Sequence, residues 1–290
     1  MAHSLAATLP NITDRGLAEA FLAGVVSTKV DLGWVMFIPW SSATYDMALY
    51  AGPSGYAADT EGGDIATEAV DETYGASVRV GSFGAGYAVS GLSRVTMRPD
   101  VLPKVFMQLG ALGLRFFASQ IGGLLNGCTT TTKTADNVVL ASASHPSDAG
   151  LQSNYLNGNL TPANYAIAVR MLMDQVDHRG NLVGGAPSGL IVPTDLDQTA
   201  KQIVGADYSA ADDRTGINVY KGSARVITMP ELTSATRWFL LDETQSSFRA
   251  PVVRGPNPWQ ITDDKSLRFE VRDKIYAGFG VAGWQGLVVG

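Results

Sequence analysis

Residues 98–127 read RPDVLPKVFMQLGALGLRFFASQIGGLLNG, and this stretch frames the rest of the chain. Val105, Leu109, Leu112, Phe116 and Gln120 recur at helical spacing, and Phe106, Leu114, Phe117, Ile121 and Leu124 widen the apolar face. Asp100 is the expected N-cap, although Pro103 falls at N3 instead of the favoured N1. Gly122, Gly123 and Gly127 mark the expected end. A helix of about 25 residues is roughly 37 Å long at 1.5 Å per residue. The run is the most apolar in the chain, but Gln108, Arg115 and Gln120 interrupt it. Gly110, Gly113, Gly122 and Gly123 also lie within it, so it reads as a packed helix and not a membrane span.

The segment before this helix has the opposite character. Residues 45–85 are rich in Gly, Ala, Ser, Thr and acids, with Asp59, Glu61, Asp64, Glu68, Asp71 and Glu72 forming an acidic tract. No lysine occurs between Lys29 and Lys104. A segment with so few large apolar residues builds no core of its own. A loop of that length in a compact domain is functional or disordered. Ser77–Val80 and Tyr87–Ser90 have strand-like composition, so the whole reads as a long hairpin-like arm. Upstream, Thr13 or Asp14 caps a short expected helix to Val26, and Trp34–Trp40 reads as a strand stopped by Pro39.

Downstream, residues 127–160 are a polar connection with strand-like Val138–Leu140. Thr161-Pro162 opens a second helix by cap and Pro-N1 logic, running to about Val176. Leu190–Val192 reads as a short buried strand, and Pro193-Thr194-Asp195 caps a third helix to about Val204. Strands are expected at Asn218–Tyr220, Ala224–Met229 and Trp238–Leu241. The last is Leu267–Tyr276, where Leu267, Phe269, Val271, Asp273 and Ile275 alternate with Arg268, Glu270, Arg272, Lys274 and Tyr276. That alternation gives one packed and one wet face.

Motifs for chemistry are weak. Gly278–Gly283 matches G-x-G-x-x-G literally, but too little chain follows for a βαβ unit, so it reads as a glycine-rich turn. The histidines His3, His145 and His178 show no metal-ligand spacing. Gly185-Ala186-Pro187-Ser188-Gly189 is a near miss to a nucleophile elbow and reads as a turn. Ser144 and His145 with Asp148 are too local for a catalytic triad. The acidic tract lacks calcium-loop spacing. No catalytic residue, cofactor site or metal site is expected. Cys128 is the single cysteine, which rules out an internal disulfide and suits a reducing compartment. The net charge of −6, with 21 scattered Lys and Arg, argues against a DNA-gripping protein. Only 17% of residues are charged, leaving neutral surface suited to protein contacts.

The order of these parts resembles the major capsid proteins of tailed bacteriophages, a fold shared with encapsulins and the herpesvirus capsid floor. The resemblance covers roughly residues 30–290 and is strongest to the Mu-like head-subunit branch. It is carried by Gly84–Ser90 ahead of the Pro99-Asp100 helix, Ala143-Ser144-His145-Pro146, Leu160–Ala163, and Gly189–Pro193 followed by Leu196 and Ala200. Further along it rests on Pro230-Glu231-Leu232, Trp238–Leu241, Phe269–Arg272, Gly278-Phe279-Gly280 and Trp284-Gln285-Gly286.

The resemblance implies an α+β capsid fold divided in sequence order. An N-terminal arm takes 1–33, a peripheral-domain strand 34–44 and an extended β-hairpin loop 45–85. The peripheral domain with its spine helix takes 86–129 and an axial domain 130–260; a peripheral C-terminal strand and tail take 261–290. It implies a non-enzymatic subunit that assembles with copies of itself into pentamers and hexamers, enclosing double-stranded DNA without reading its sequence. Tyr56, Asp59, Glu61, Asp64, Glu68, Asp71 and Glu72 are the expected contacts to a neighbouring subunit. A separate scaffolding protein and a portal are implied, with room for a decoration protein and no membrane partner. The expected location is the virion, after assembly in the host bacterial cytoplasm. Relatives that crosslink use a loop lysine, which this arm lacks. The alternatives are an encapsulin-like compartment shell and a soluble α/β hydrolase or binding protein.

Overall fold

The computed structural model describes residues 15–50, 72–90, 101–208, 216–263 and 268–290. Two sheets share one core, and the 26-residue helix α2 (Val101–Asn126) lies across it. The first sheet runs β1 (Met36–Pro39), β8 (Phe248–Arg254), β10 (Arg268–Ala277), β4 (Gly81–Val89), with β9 (Trp259–Asp263) also on β10 and β11 (Gly280–Val281) on β8. A separate hairpin pairs β2 (Thr44–Tyr50) with β3 (Glu72–Arg79). The second sheet runs β12 (Leu287–Val289), β7 (Phe239–Leu241), β5 (Gly189–Val192), β6 (Arg225–Thr228).

The expected alternation of the last long strand is realised in β10. Val271, Asp273 and Ile275 are buried, while Arg272 and Lys274 are exposed. Asp273 is tolerated on the packed face because its carboxylate accepts the Asn257 N–H at 2.8 Å. Burial nevertheless pushes its carboxyl above the usual range. Leu267 lies outside the described residues.

The second sheet is covered on both faces, which explains its short unbroken apolar strands. Leu190, Val192, Leu240 and Val288 face α3 (Pro162–Met173) and α4 (Asp197–Gly205), meeting Tyr165, Leu172 and Ile203. Ile191, Phe239, Leu241, Leu287 and Val289 face the other way, toward Trp34, Phe117, Ile121, Leu125 and Trp284. This second cluster also takes Phe248, Ala250 and Ile275 from the first sheet.

α1 (Arg15–Ser27) packs across α2 so tightly that both helices use glycine at the crossing. A Cβ on Gly24 would run into the Met107 carbonyl, and one on Gly110 into the Phe21 carbonyl. Phe21, Phe106, Leu109 and Val271 fill the space below. The cap positions Thr13, Asp14 and Asp100 lie outside the described residues. α2 is long and apolar enough to span a bilayer, and one of its faces, carrying Phe106, Leu109, Phe117, Ile121 and Leu125, is buried in protein.

Several expectations are corrected. Gly122 and Gly123 do not end α2, which continues to Asn126. Gly122 is instead a contact point, because a Cβ there would sit 2.6 Å from the Glu231 Cβ. α3 begins at Pro162, where the Thr161 side chain accepts the Asn164 N–H, but stops at Met173, short of Val176. The third helix is a 3-10 turn, Thr194–Leu196, running into α4. Val138–Leu140 contributes only one isolated bridge, Val139 to Lys133. Asn218–Tyr220 is no strand: Asn218 turns inward and donates to the carbonyls of Ile203 and Ala206, closing the end of α4.

Candidate assembly surfaces

The base of the extended segment is a ladder. β2 and β3 pair antiparallel from Thr44↔Arg79 to Leu49↔Tyr74, with a register shift before Tyr50↔Glu72. Met47 and Val78 turn inward against Ala282, and the hairpin rests on the glycine-rich run after β10. A Cβ on Gly278 would lie 2.7 Å from Val78 Cγ1, and one on Gly280 would run into Val78 Cγ2. No helix follows these glycines: the chain passes through β11 and ends in β12. Their job is to let the hairpin approach the backbone. Farther along the hairpin, Tyr74 meets His178 edge to face with centroids 5.1 Å apart. Of the expected contact residues, Tyr56, Asp59, Glu61, Asp64, Glu68 and Asp71 lie outside the described residues; Glu72 opens β3.

The polar connection after α2 is knitted by side chains in place of regular ladders. His145 is fully buried, its Nδ1 2.8 Å from Asp136 Oδ2 and its ring stacked on Trp284 with centroids 4.7 Å apart. Asp136 also accepts from Thr134 Oγ1 and from the Val138 N–H. Burial pushes its carboxyl up, but the hydrogen bonds from His145 and Thr134 outweigh that and leave it below the usual range. Asn154 is likewise buried, accepting from Ser142 N–H and donating to the Leu140 carbonyl. These groups brace a loop.

The residues considered for a triad are therefore dispersed. His145 takes Asp136, Asp148 lies 3.9 Å from His178, and Ser144 Oγ faces Ser142 Oγ. Ser188 Oγ donates to the Leu241 carbonyl and accepts the Glu243 N–H, holding a turn. Cys128 is buried, and that burial pushes its thiol up. Among the described residues, no three His, Cys, Asp or Glu come together as a metal site.

The surface carries two kinds of exposed feature. One is an exposed ion-pair cluster, in which Arg225 of β6 reaches both Asp31 and Glu243. It ties the segment after α1 to the second sheet. The other is exposed apolar side chains: Ile217 is 83% exposed, Val219 79% and Tyr208 59%, while Ile167 and Met173 lie bare on α3. A groove of about 630 Å³ also runs between Ser27–Asp31, α2 and Thr228–Glu231.

Solved structures of phage capsids and of a virus-like particle share this architecture. The chain superposes on the capsid of bacteriophage JBD30 with a TM-score of 0.58 at 12% identity, covering 69% of this chain and 89% of that one. Microbacterium phage Oxtober96 gives 0.57 at 13% identity, covering 91% of each chain. The virus-like particle from Pyrococcus furiosus gives 0.54 at 10% identity, covering 93% and 96%. No curated protein sequence matches. The fold is that of the tailed-phage capsid proteins. The family model for phage capsid proteins matches residues 73–290, and the chain belongs to that family. It is a structural subunit of a phage head; an encapsulin-like compartment is not the better reading.

Proposed function

We propose that the chain tiles a closed icosahedral shell as pentamers and hexamers around double-stranded DNA, as a member of the Mu-like branch of head subunits. The observation that carries this reading is the family match over residues 73–290, with a fold that spans nearly whole capsid subunits. Such a subunit works mechanically and needs no reaction centre. Residues 34–44, 86–129 and 261–290 form the peripheral domain, and 130–260 form the axial domain around the symmetry axes. Residues 1–33 act as an arm, and 45–85 lie over a neighbouring copy through Tyr56, Asp59, Glu61, Asp64, Glu68, Asp71 and Glu72.

A net charge of −6 on the subunit suits a container that repels its contents and leaves the genome mobile. Assembly takes place in the host bacterial cytoplasm with a separate scaffolding protein and a portal. A decoration protein fits the same reading: one structural neighbour is a JBD30 capsid decorated with minor capsid protein trimers. The test is negative-stain electron microscopy of the purified protein, alone and mixed with its native lysate. Closed shells are expected; small discrete particles under every condition leave either a missing scaffolding protein or a wrong reading of shell formation, and shells failing to form once the scaffolding protein is supplied would refute it.

A further inference from the structure

Two asparagine–glycine steps occur in the chain, Asn126-Gly127 and Asn157-Gly158. Such a step is chemically labile, because the glycine carries no Cβ to hinder its nitrogen from reaching the asparagine side-chain carbon. The fold treats the two steps in opposite ways. Asn126 ends α2 and is held on every side. Its Nδ2 donates to the Glu231 carbonyl at 2.9 Å, its Oδ1 accepts the Thr233 N–H at 2.9 Å, and the Gly127 N–H donates to the Gly123 carbonyl at 3.0 Å. Nucleophile and electrophile are both engaged elsewhere, and each of those bonds is worth about 0.5–1.5 kcal/mol.

Asn157 is exposed, with a φ of 50° in the left-handed region that asparagine tolerates. Among the described residues nothing accepts from the Gly158 N–H. The Asn157 side chain has one partner: the Tyr155 hydroxyl donates to its Oδ1 at 2.9 Å. A donor on that oxygen polarises Cγ and meets the negative charge that builds there on attack.

We propose that Asn157 is a self-modifying site, which deamidates through a cyclic imide with Gly158 while Asn126 stays intact. The Gly158 nitrogen loses its proton to solvent and bonds to Asn157 Cγ. The Cγ–Nδ2 bond breaks, and that nitrogen leaves as ammonia with a proton from water. Water then opens the imide at either carbonyl, giving aspartate or isoaspartate. The net change is water consumed and ammonia released.

The location gives the reaction a structural effect. Residues 154–158 run beside β12, where the Val289 N–H donates to the Asn154 carbonyl and the Leu156 N–H to the Val289 carbonyl. Buried Trp238 donates from Nε1 to the Gly158 carbonyl at 2.9 Å. Isoaspartate inserts an extra backbone carbon between the Leu156 and Gly158 anchors, so the two bonds fall out of step. Each modified copy also gains a negative charge. This chemistry belongs to the single chain and does not depend on the shell-forming reading.

The test holds the full-length subunit warm in mildly alkaline buffer, beside the same chain unfolded in urea, and follows both steps by peptide mapping with mass spectrometry. Similar rates are expected in urea. In the folded chain Asn157 is expected to convert roughly tenfold faster than Asn126 or more, tenfold being a barrier difference of about 1.4 kcal/mol. Equal rates at the two sites in the folded chain would overturn the proposal. Tyr155→Phe is expected to slow Asn157 in the folded chain and leave its rate in urea unchanged; an unaltered folded rate would strike the role of the hydroxyl. Asn157→Gly keeps the left-handed backbone and removes the amide. Aged parent subunits are expected to melt lower than fresh ones, and aged Asn157→Gly subunits to show no drop. The same drop in both would refute the structural effect.

Discussion

His145 Nδ1 lies 2.8 Å from Asp136 Oδ2, and both side chains are closed off from solvent. A carboxylate in that position cannot be removed without stranding its donors: His145, Thr134 Oγ1 and the Val138 N–H. Asp136→Ala is expected to cost on the order of 2–3 kcal/mol. Asp136→Asn, which keeps one acceptor oxygen, recovers part of it. Urea unfolding of the free subunit measures both; equal midpoints for Asp136→Ala and the parent chain would contradict the bracing role.

Acid dependence follows from two carboxyls of opposite sign. Asp136 is held below its ordinary value, so its contribution is full above about pH 4 and fades as pH falls through the lowered value. Asp273 is pushed up by burial, so its contribution is present below about pH 4 and lost as pH rises through the raised value. Asp273→Asn is therefore expected to raise stability at pH 7, with the gain shrinking toward pH 4. The disadvantage of Asp136→Asn is expected to hold at neutral pH and shrink in acid. Denaturation midpoints across pH 3–8 check both trends.

Two adjacent glycines in α2 make a controlled pair. Gly123 faces open space, whereas Gly122 faces the Glu231 Cβ. Gly123→Ala is expected to stabilise by up to ~1 kcal/mol through helix propensity. Gly122→Ala receives the same propensity gain but must push the 231 loop away, a cost of about 1–3 kcal/mol. Thermal melts of the two variants should move in opposite directions.

The hairpin seat is testable by exchange. Val78 fills the space over Gly278 and Gly280, so Val78→Ala empties it and Gly280→Ala obstructs it. Both are expected to speed hydrogen exchange of β2 and β3 amides while those of β7 stay protected. Uniform acceleration across the chain would mean that the whole fold was damaged, not the seat.

Covalent linkage between loops is not expected, because no lysine lies between Lys29 and Lys104 to supply the amine. Boiled particles should run as one intact-subunit band on a denaturing gel. A ladder of multiples would show the expectation to be wrong.

Where one residue's neighbours along the chain decide its state, the sequence was readable. The spacing in α2, the Thr161-Pro162 start of α3 and the alternation in β10 all belong to that class. β8 was missed because Pro251 stands inside it, and proline normally excludes a central strand. The structure accommodates it where the ladder is already irregular: β10 shifts register against β8 between Tyr276 and Ala277, and the Gly278 N–H donates to the Pro251 carbonyl. Asn218 misled in a different way. The strand expected at Asn218–Tyr220 does not form; the Asn218 amide is turned inside, and Ile217 and Val219 lie outside. The site was the least legible part. His145 and Asp136 become partners only through the loop that carries them, and the exposure of Ile217 is visible only once the core has been filled.

Arg225 bridges Asp31 and Glu243 at the surface, with all three side chains partly open to water. A pair of that kind contributes roughly 0–1 kcal/mol and weakens as ions screen it over a Debye length of about 8 Å at physiological salt. In a single subunit such a tie hardly registers. In a closed particle it recurs at every lattice position, so a change too small to shift one subunit's melting point is multiplied by the copy number. Ionic strength then acts on the same internal tie in every subunit at once.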